Sequence, residues 1–440
     1  MKQHLCIGCG VCAAVCPRGR LNMQMDEDTG IYTVVPAEEC PYNCGLCDAV
    51  CPFADTGCNE DVLADGLYSR QPGIMHELEC GYYFQCWAGF CSGEQIRLNG
   101  ASGGATTAFL ESLLTCGKIE RIVCAQRVPG GRTLFECAIV DDIDALYEAS
   151  KSAYYPVEFS GVLREVLSVP GKYAIVCLPC VAKAIRLAQR HIPKLRERIV
   201  IIIGLVCGHG VNSHFGSYAA MLAGASLEEV KEITFRVKSA GHQANNSAVR
   251  VQWSDQESLV HWMNDLNEAW VDNWFTPKAC LFCDDIYAEC ADIVFMDAWL
   301  PEFIDDYKGT NLLLSRTSQT AHWIQNMAAN NDLILWDIDV QRVIASQRGV
   351  IQFKRVKLAH RLWQARGRNW NVSAKRVAPH KAADWNPDVK RSELGTVYWK
   401  QRSSLSDFQR AMRSIKDEYP WWVAFRRKAK NVLKRAGIQW

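Results

Sequence analysis

Between about residue 96 and residue 345, the hydrophobic and polar positions alternate between two periods. Short apolar runs predict buried strands, and segments with apolar residues three and four positions apart predict helices. Strands are predicted at 121–128, 134–140, 173–179, 199–207, 291–299 and 311–315, and helices at 103–114, 141–150, 181–190 and 319–329. Because strands and helices follow each other in turn, residues 96–345 are predicted to form an α/β domain with a mixed sheet.

Two cysteine runs dominate the first sixty residues. The first reads C-x2-C-x2-C-x3-C-P from Cys6 to Pro17, and the second, from Cys40 to Pro52, has one extra residue in its first gap. Bacterial ferredoxins bind two 4Fe–4S clusters with this spacing, and the fourth cysteine of each run ligates the other cluster. Structural zinc sites use isolated cysteine pairs instead. The spacing therefore predicts one cluster on Cys6, Cys9, Cys12 and Cys51 and another on Cys40, Cys44, Cys47 and Cys16.

The cysteine runs and the fading of the strand pattern divide the rest of the chain. Residues 1–60, with a short strand at 31–35, are predicted to be a small ferredoxin-like α+β domain that carries both clusters. Residues 61–95 are interpreted as a connector. Beyond residue 345 the strand signal fades, and residues 346–440 predict a basic, mainly helical C-terminal extension.

Cysteine content and hydropathy limit the compartment. The chain has 21 cysteines, an odd number that excludes complete disulfide pairing. No charged-then-apolar signal peptide is visible, and the longest apolar run, at 199–207, is too short to span a bilayer. These features predict a reducing cytoplasm, where thiolates and clusters persist.

The net charge of +1 hides an asymmetry. Residues 341–440 hold 24 Lys and Arg against 6 Asp and Glu, which leaves 25 against 42 in the first 340 residues. This split bears on partners rather than on the fold. A nucleic-acid partner is not expected, because the basic extension contains no recognised binding motif.

A glycine-rich segment and four separated cysteines carry the chemistry of the central region. Segment 97–107, RLNGASGGATT, runs into a predicted helix, so its backbone N–H groups form an anion site suited to a flavin phosphate. A glycine turn before a helix also occurs for packing alone. Four thiols from three segments either meet to hold a third cluster or are buried singly: Cys180, Cys207, Cys280 and Cys283.

These features resemble the family of coenzyme F420 hydrogenase/dehydrogenase beta subunits, to which 7-hydroxymethyl chlorophyll a reductase is related. The similarity covers roughly residues 1–325 and includes R-x-N-G-x-S-G-G-x-x-T at 97–107, L-P-C at 178–180 and Asp297. The resemblance implies an α/β domain that holds FAD beside a 4Fe–4S cluster. It assigns the third cluster to Cys180, Cys207, Cys280 and Cys283, and the FAD loop to Asn99, Gly100, Ser102, Gly103, Gly104 and Thr107.

The chain departs from the family pattern at two places. Where the family usually has Gly-Ser-Lys-Tyr before a proline, this chain reads ASKSAYYP at 149–156, and Lys151 is still interpreted as facing the flavin. Cys177 replaces a residue that is usually Gly or Thr. It forms a C-x2-C pair with Cys180 and is a competing candidate ligand of the third cluster.

The resemblance implies an FAD-dependent iron–sulfur oxidoreductase. FAD exchanges hydride with a small-molecule substrate, and the clusters exchange single electrons with ferredoxin or another redox protein. The first hypothesis is a reductase of surface-polysaccharide synthesis. The alternative is a deazaflavin (coenzyme F420) dehydrogenase or an electron-transfer subunit of a larger redox complex.

Some side chains near the cysteines are candidates for proton transfer or substrate binding. His209 and His214 are candidate proton donors, although a histidine in a polar loop is more often only solvated. Four tryptophans before Cys280 either line a site for a planar or sugar ligand or pack in the core: Trp253, Trp262, Trp270 and Trp274.

The last 21 residues, 420–440, have six basic residues and no acidic one. On a helical wheel the aromatic and aliphatic residues share one arc, which is typical of a helix at an anionic membrane surface. A helix docked on the acidic part of the same chain fits the pattern too. The sequence therefore predicts a cytoplasmic protein with a peripheral membrane contact as one of two alternatives.

Overall fold

The computed structural model describes residues 5–36, 40, 44–131, 133–381 and 387–417. The strands of this part are β1 Leu21–Asp26, β2 Ile31–Pro36, β3 Met75–Glu77, β4 Gly81–Tyr83, β5 Gln85–Cys91, β6 Arg121–Arg127, β7 Phe135–Val140, β8 Tyr173–Cys177, β9 Ile199–Leu205, β10 Val230–Val237, β11 Ala248–Trp253, β12 Gln256–His261, β13 Ile293–Asp297, β14 Asn311–Ser315 and β15 Leu333–Asp337. The α-helices are α1 Val11–Ala14, α2 Leu46–Ala49, α3 Glu60–Tyr68, α4 Glu94–Asn99, α5 Ala105–Thr115, α6 Ile143–Glu148, α7 Ser160–Ser168, α8 Pro179–His191, α9 Pro193–Arg198, α10 His214–Leu222, α11 Asn267–Val271, α12 Ser318–Ala329, α13 Val340–Ser346, α14 Arg348–Ile351, α15 Leu358–Gly367, α16 Asp388–Gln401 and α17 Leu405–Asp417.

An eight-stranded mixed sheet forms the centre of the molecule, in the order β15-β5-β14-β13-β9-β8-β6-β7. The four strands β6, β8, β9 and β13 pair in parallel, and the outer pairs are antiparallel. Parallel strands are covered on both faces, which explains why β9 is apolar along its whole length. The mixed α/β sheet predicted from the sequence is confirmed.

Side chains of the central strands point alternately to two hydrophobic clusters, one on each face of the sheet. Ile175 and Ile202 pack with α8 on one face, whereas Ile201 and Phe295 pack with α5 and α12 on the other. The carboxyl ends of β8, β9 and β13 lie at the same edge, where α/β proteins place their functional sites.

The N-terminal cysteine segments flank a small hairpin of β1 and β2. Its turn is stabilised by Asp26, whose carboxylate accepts hydrogen bonds from the backbone N–H groups of Asp28 and Thr29, at 2.9 and 3.3 Å. The module contacts α7, where the guanidinium of Arg164 donates to the carbonyls of Ala13 and Leu21. The cysteine runs are therefore held against the α/β region.

Two groups of strands differ from the sequence prediction. Strand β5 lies within the predicted connector, 61–95, yet it pairs with β14 and β15 inside the large sheet. The sheet therefore begins before residue 96. Strands β10, β11 and β12 form a separate antiparallel sheet in a region for which no strand was predicted.

The C-terminal extension packs on the central region through α15 and α16. Leu358 and Leu362 of α15 share a hydrophobic cluster with Leu281 and Phe282. Gly395 of α16 lies against the backbone carbonyl of Trp274, where a Cβ atom would not fit. The extension is therefore an integral part of the fold up to residue 417. The amphipathic helix predicted at 420–440 lies outside the described residues.

Candidate functional site

The first cysteine set surrounds the start of α1. Gly8 and Gly10 adopt positive φ angles of 75° and 77°, and a Cβ at Gly8 would collide with the backbone carbonyl of Tyr32. Burial raises the pKa of Cys9 well above its usual range, and the neighbouring thiols of Cys12, Cys51 and Cys6 raise it further. The four thiols of this set therefore lie close together, as the cysteine ligands of one iron–sulfur cluster do.

The second set is described in part, because residues 41–43 lie outside the described residues. Cys40 and Cys44 are exposed, and Cys47 is partly buried. Burial and the carboxylate of Asp48 raise the pKa of Cys47. Cys47 in turn is one of the groups that, after burial, raise the pKa of Cys12 to about 12, so the two sets are adjacent.

The cysteines of the central set come from three segments of the chain. Cys180 lies in the first turn of α8, and Cys207 follows β9. Cys280 lies within a short 3-10 turn at Lys278–Phe282, and Cys283 follows this turn directly. Burial raises the pKa of Cys180 well above its usual range, and then Cys283, Cys280 and Cys207 raise it further. The four thiols therefore lie close together.

The arrangement of thiols differs from that of a zinc site. Among the residues that the structure describes, no group of three or more His, Cys, Asp or Glu side chains could hold a metal ion. Zinc requires four ligands at about 2.0 to 2.3 Å from one atom. In a 4Fe–4S cluster each cysteine binds a different iron, so the ligands lie farther apart.

The charged groups that affect the pKa of Cys177 are Arg186 and Asp292 rather than the thiols of the central set. Cys177 is buried on β8, and burial raises its pKa while the Arg186 guanidinium opposes the increase. Its other charged neighbour is Asp292, which pairs with Arg186 at 2.6 Å. Cys177 is thus a buried thiol of the hydrophobic core, and its role as a competing ligand stays a prediction.

The first and central cysteine sets are neighbours. After burial and the three other central thiols, Cys9 is the next group that raises the pKa of Cys180. Phe53, Ala279 and Cys283 form a hydrophobic cluster, on which Leu5, Ile7, Cys51 and Cys180 pack. Cysteines of both sets therefore pack on the same small hydrophobic cluster.

A buried lysine, which sequence reasoning missed, contacts the central set. The ammonium of Lys354 lies 3.3 Å from Cys283 Sγ and donates to the carbonyl of Asp285 at 2.6 Å. Burial alone would lower its pKa, but Cys283, Cys207 and Cys280 raise the pKa above the ordinary value. On the opposite side, the backbone N–H of Gly210 donates to Cys280 Sγ at 3.3 Å.

The glycines of the predicted FAD loop are explained by packing within the protein. A Cβ at Gly103 would lie 2.9 Å from Asn311 Oδ1 and 2.9 Å from the carbonyl of Gly89. A Cβ at Gly104, whose φ is 77°, would lie 2.9 Å from the Cα of Arg97, and one at Gly100 would lie 2.8 Å from the Cα of Gly104. The loop is thus compact for structural reasons, whatever it binds.

The polar side chains of the same loop also have partners or are buried. Ser102 is buried and donates to the carbonyl of Thr310 at 2.7 Å. Thr107 is buried in α5, and the carbonyl of Asn99 accepts from Ser150 Oγ at 3.3 Å. The side chains of Ser102 and Thr107 therefore do not form an open ligand site.

A cluster of cations lies beside the loop, and Lys151 belongs to it. Burial lowers the pKa of Lys151 to about 8, and Arg127, Arg250 and Arg236 contribute to the decrease. Burial also lowers the pKa of Lys238 to about 7, with Lys151 as the next cause. Within the described part of the chain, Lys151 has neither a hydrogen-bond nor an ion-pair partner. An unpaired ammonium among like charges fits an anion such as a pyrophosphate.

Other members of the cation cluster are bound by the protein. The ammonium of Lys238 donates to the carbonyls of Arg97 and Lys308, at 2.5 and 2.7 Å, and Arg236 pairs with Asp297 at 2.5 Å. An enclosed cavity of about 10 Å³ lies between them, lined in part by Ser102 and Trp299. It has room for one water molecule and does not admit a flavin ring.

The two candidate histidines have different surroundings. His209 lies with its ring 4.1 Å from that of Trp270, and its Nδ1 is 3.1 Å from the hydroxyl of Thr276. Burial lowers its pKa to about 4, so it is neutral near pH 7. His214 binds the carbonyl of Glu27 through Nε2 at 3.1 Å, which ties α10 to the N-terminal hairpin.

The four candidate tryptophans are part of a hydrophobic cluster. Trp253 and Trp274 are buried, and Trp262 and Trp270 pack edge to face with centroids 5.1 Å apart. Tyr154 contacts both of the latter. Of the two alternatives for these tryptophans, core packing agrees with their contacts better than a ligand site does.

Comparisons with known proteins agree with the order of these features along the chain. The model of the 4Fe-4S dicluster domain matches residues 5–54. The models of the coenzyme F420 hydrogenase/dehydrogenase beta subunit match residues 86–164 with the N-terminal part and residues 171–341 with the C-terminal part.

Two relatives illustrate the similarity. The chain is 26% identical to one of the subunits of the F(420)H(2) dehydrogenase of Methanosarcina mazei. The alignment of 209 residues covers 47% of this chain and 54% of that protein. It thus spans about half the length of this relative. A chain of the F420-reducing NiFe hydrogenase complex from Methanosarcina barkeri shares the fold, with a TM-score of 0.51, 17% identity, and coverage of 68% of this chain and 98% of that one.

Within the described ranges, no helix has the length and apolar character that crossing a bilayer requires.

Proposed function

The chain belongs to the coenzyme F420 hydrogenase/dehydrogenase beta subunit family and is an iron–sulfur redox protein, and on this basis we propose that it is an electron-transfer subunit with three 4Fe–4S clusters. It would work with a separate redox protein, such as a ferredoxin, in a larger complex. The relatives named above are described as acting with coenzyme F420, and they favour this alternative over a reductase of surface polysaccharides.

The observation that carries the proposal is the contact between the first and central cysteine sets. Cys9 is one of the groups that raise the pKa of Cys180, and Cys51 and Cys180 pack on the same hydrophobic cluster around Phe53. Each set brings four thiols close together, and this is the arrangement that two neighbouring clusters require of their cysteine ligands.

The three sets would each hold one cluster, and the bound clusters would supply one-electron transfer. Cys6, Cys9, Cys12 and Cys51 hold the first, Cys40, Cys44, Cys47 and Cys16 the second, and Cys180, Cys207, Cys280 and Cys283 the third. The exposure of Cys40 and Cys44 leaves the second set nearest to the surface, where a partner can approach it. The buried third set is protected from water by the chain itself.

The cation cluster supports a finer proposal, that the protein binds FAD. The unpaired ammonium of Lys151 and the neighbouring Arg250 would hold the pyrophosphate. FAD, when bound, converts between hydride and single-electron transfer, and a deazaflavin coenzyme is the substrate class that the names of the relatives suggest. The enclosed cavity is too small for the flavin ring, so we place only the pyrophosphate at the cations.

Iron analysis of anaerobically purified protein tests the proposal. Wild type is expected to contain about twelve iron atoms per chain, four in each of three clusters. Cys180→Ala should reduce this to roughly eight by removing one 4Fe–4S cluster. Cys177→Ala is the matched control: it removes a buried thiol three residues away and should leave the iron content unchanged.

Either of two results would contradict three clusters. The first is a wild-type iron content of roughly eight per chain, which corresponds to two 4Fe–4S clusters. The second is an iron content of Cys180→Ala equal to that of wild type, which would exclude a cluster on the central set.

A further inference from the structure

Lys354 belongs to the C-terminal extension, beyond the residues matched by the family models, which end at residue 341. Its side chain nevertheless reaches the central cysteine set and is only 1% exposed. Burial of an ammonium is costly unless it is hydrogen-bonded to acceptors or paired with negative charge. Here the acceptors are Cys283 Sγ, at 3.3 Å, and the carbonyl of Asp285, at 2.6 Å.

The backbone around Lys354 has an unusual form. Residues Gln352–Val356 form a π-helical turn, in which the N–H of Lys357 donates to the carbonyl of Gln352 at 2.9 Å. Such wide turns are rare, are less favourable than continuous α-helix and occur often at functional sites. The turn lies between α14 and α15, and it places Lys354 inward while Val356 and Lys357 are exposed.

One buried arginine fixes this turn to the cysteine loop. Arg361 Nε donates to the carbonyl of Leu281 at 2.7 Å, between Cys280 and Cys283. The same guanidinium donates to the carbonyl of Phe353 at 2.6 Å, next to Lys354. The distance between the Lys354 ammonium and the Cys283 thiol is therefore set by a rigid connection rather than by a flexible side chain alone.

We propose that Lys354 sets the reduction potential of the central cluster by donating a charged hydrogen bond to Cys283. The inference rests on the proposed function, since it requires a cluster on Cys180, Cys207, Cys280 and Cys283. Reduction adds one negative charge to a cluster. A cation bonded to a ligand sulfur stabilises the reduced form more than the oxidised form, which raises the potential. Lys354 acts through Cys283 and is thus a positioning residue.

Potentiometric titration followed by electron paramagnetic resonance tests this role. The signal of the central cluster is identified as the one missing in Cys180→Ala. In Lys354→Met, its reduction equilibrium is expected to shift at least tenfold towards the oxidised form, which is about 59 mV for one electron. The signals of the other two clusters should keep their midpoints.

Two further variants separate charge from packing. Lys354→Arg keeps the charge and should retain most of the wild-type midpoint, whereas Lys354→Gln keeps only neutral N–H donors and should lie between wild type and Lys354→Met. Lys357→Met removes the same charge from an exposed position three residues away and should leave all midpoints unchanged.

The possible failures are distinguishable. A wild-type protein with only two clusters overturns the proposed function, and the inference with it. A third cluster whose midpoint is the same in Lys354→Met and wild type overturns only the inference. So does an equal shift of all three midpoints. Loss of the central signal in both Lys354→Met and Lys354→Gln would replace potential setting with a role in holding the cluster.

Discussion

Arg361 and Asp388 form an ion pair of 2.9 Å in which the two side chains are 0% and 3% exposed. The guanidinium also binds two backbone carbonyls, so the pair joins α15 and α16 to the loop of Cys280 and Cys283. Removing one partner of such a pair leaves an uncompensated buried charge, which is strongly destabilising.

Arg361→Met is therefore expected to reduce the free energy of unfolding by about 3 to 5 kcal/mol. The matched control is Arg368→Met, which removes the exposed pair between Arg368 and Glu393, with side-chain exposures of 44% and 39%. That change should cost about 0 to 1 kcal/mol. Chemical unfolding of the loaded protein, followed by tryptophan fluorescence, measures both. An equal decrease in the free energy of unfolding in both variants would contradict a stabilising role of the buried Arg361–Asp388 pair.

Lys151→Met is expected to weaken FAD binding by roughly tenfold to a hundredfold, because a hydrogen bond to a charged group contributes about 1.5 to 3 kcal/mol. Flavin content after purification and titration of the flavin-free protein measure the effect. Lys231→Met is the control, since Lys231 is exposed and pairs with Asp255. Unchanged affinity in Lys151→Met would remove the cations from the FAD site.

Gly103→Val is not a useful test of the same loop. A side chain there would collide with Asn311 and Gly89 even if no ligand bound nearby. Loss of flavin in that variant would report a damaged loop, so the charge of Lys151 is the better probe.

Binding of inorganic pyrophosphate should depend on pH through Lys151. Its pKa in the free protein is lowered by burial and by its neighbouring arginines to about 8. A bound anion raises this pKa, so the affinity should fall by up to about tenfold per pH unit above pH 8, until the pKa of the complex is passed. Calorimetry of wild type and Lys151→Met measures it. The same slope in both proteins would assign the dependence to another group.

The lowered pKa of Lys151 also affects the free energy of unfolding, which changes with pH in the direction opposite to the pyrophosphate affinity. Between about pH 8 and 10.5, the unfolded chain binds more protons at this residue than the folded chain. Without an anion, its contribution to stability therefore increases with pH across that window. A bound anion should reverse part of this trend.

The segment 420–440 carries a prediction from sequence alone. If its amphipathic pattern forms a helix at a membrane surface, the full chain should float with anionic liposomes and a chain cut after Glu418 should not. Neutral liposomes are the control, since they lack the attraction for the six basic residues. Equal flotation of both chains, or of neither, would contradict the membrane helix.

Local signals were sufficient for part of the fold and site. The N-terminal cysteines could be found because their spacing is short and regular, and strand β9 because its seven residues form a continuous apolar run. The bounds of β14, 311–315, agree with the sequence prediction because the whole strand is buried.

Other features depend on residues far apart in the chain. Position 103 requires glycine because Asn311 and Gly89 leave no room for a side chain. A glycine loop that resembles a ligand-binding loop therefore also serves packing within the protein. Strand β5 was assigned to a connector because its pairing with β14 and β15 involves residues more than 200 positions away. Lys354 and Arg361 lie in a basic region with no local motif, and only tertiary contacts identify them.

The hydrogen bonds and the ion pair of Arg361 also determine when parts of the structure can form during synthesis. The first cysteine set is complete once Cys51 has left the ribosome. The loop of Cys280 and Cys283, in contrast, lacks its hydrogen bond to Arg361 until Arg361 and Asp388 have also been synthesised. Because N-terminal segments generally fold first on a growing chain, the first set can be loaded with iron during translation. The connection from Arg361 to the central set can form only after nearly the whole chain has been released, so on the proposed function a third cluster would be enclosed after the first.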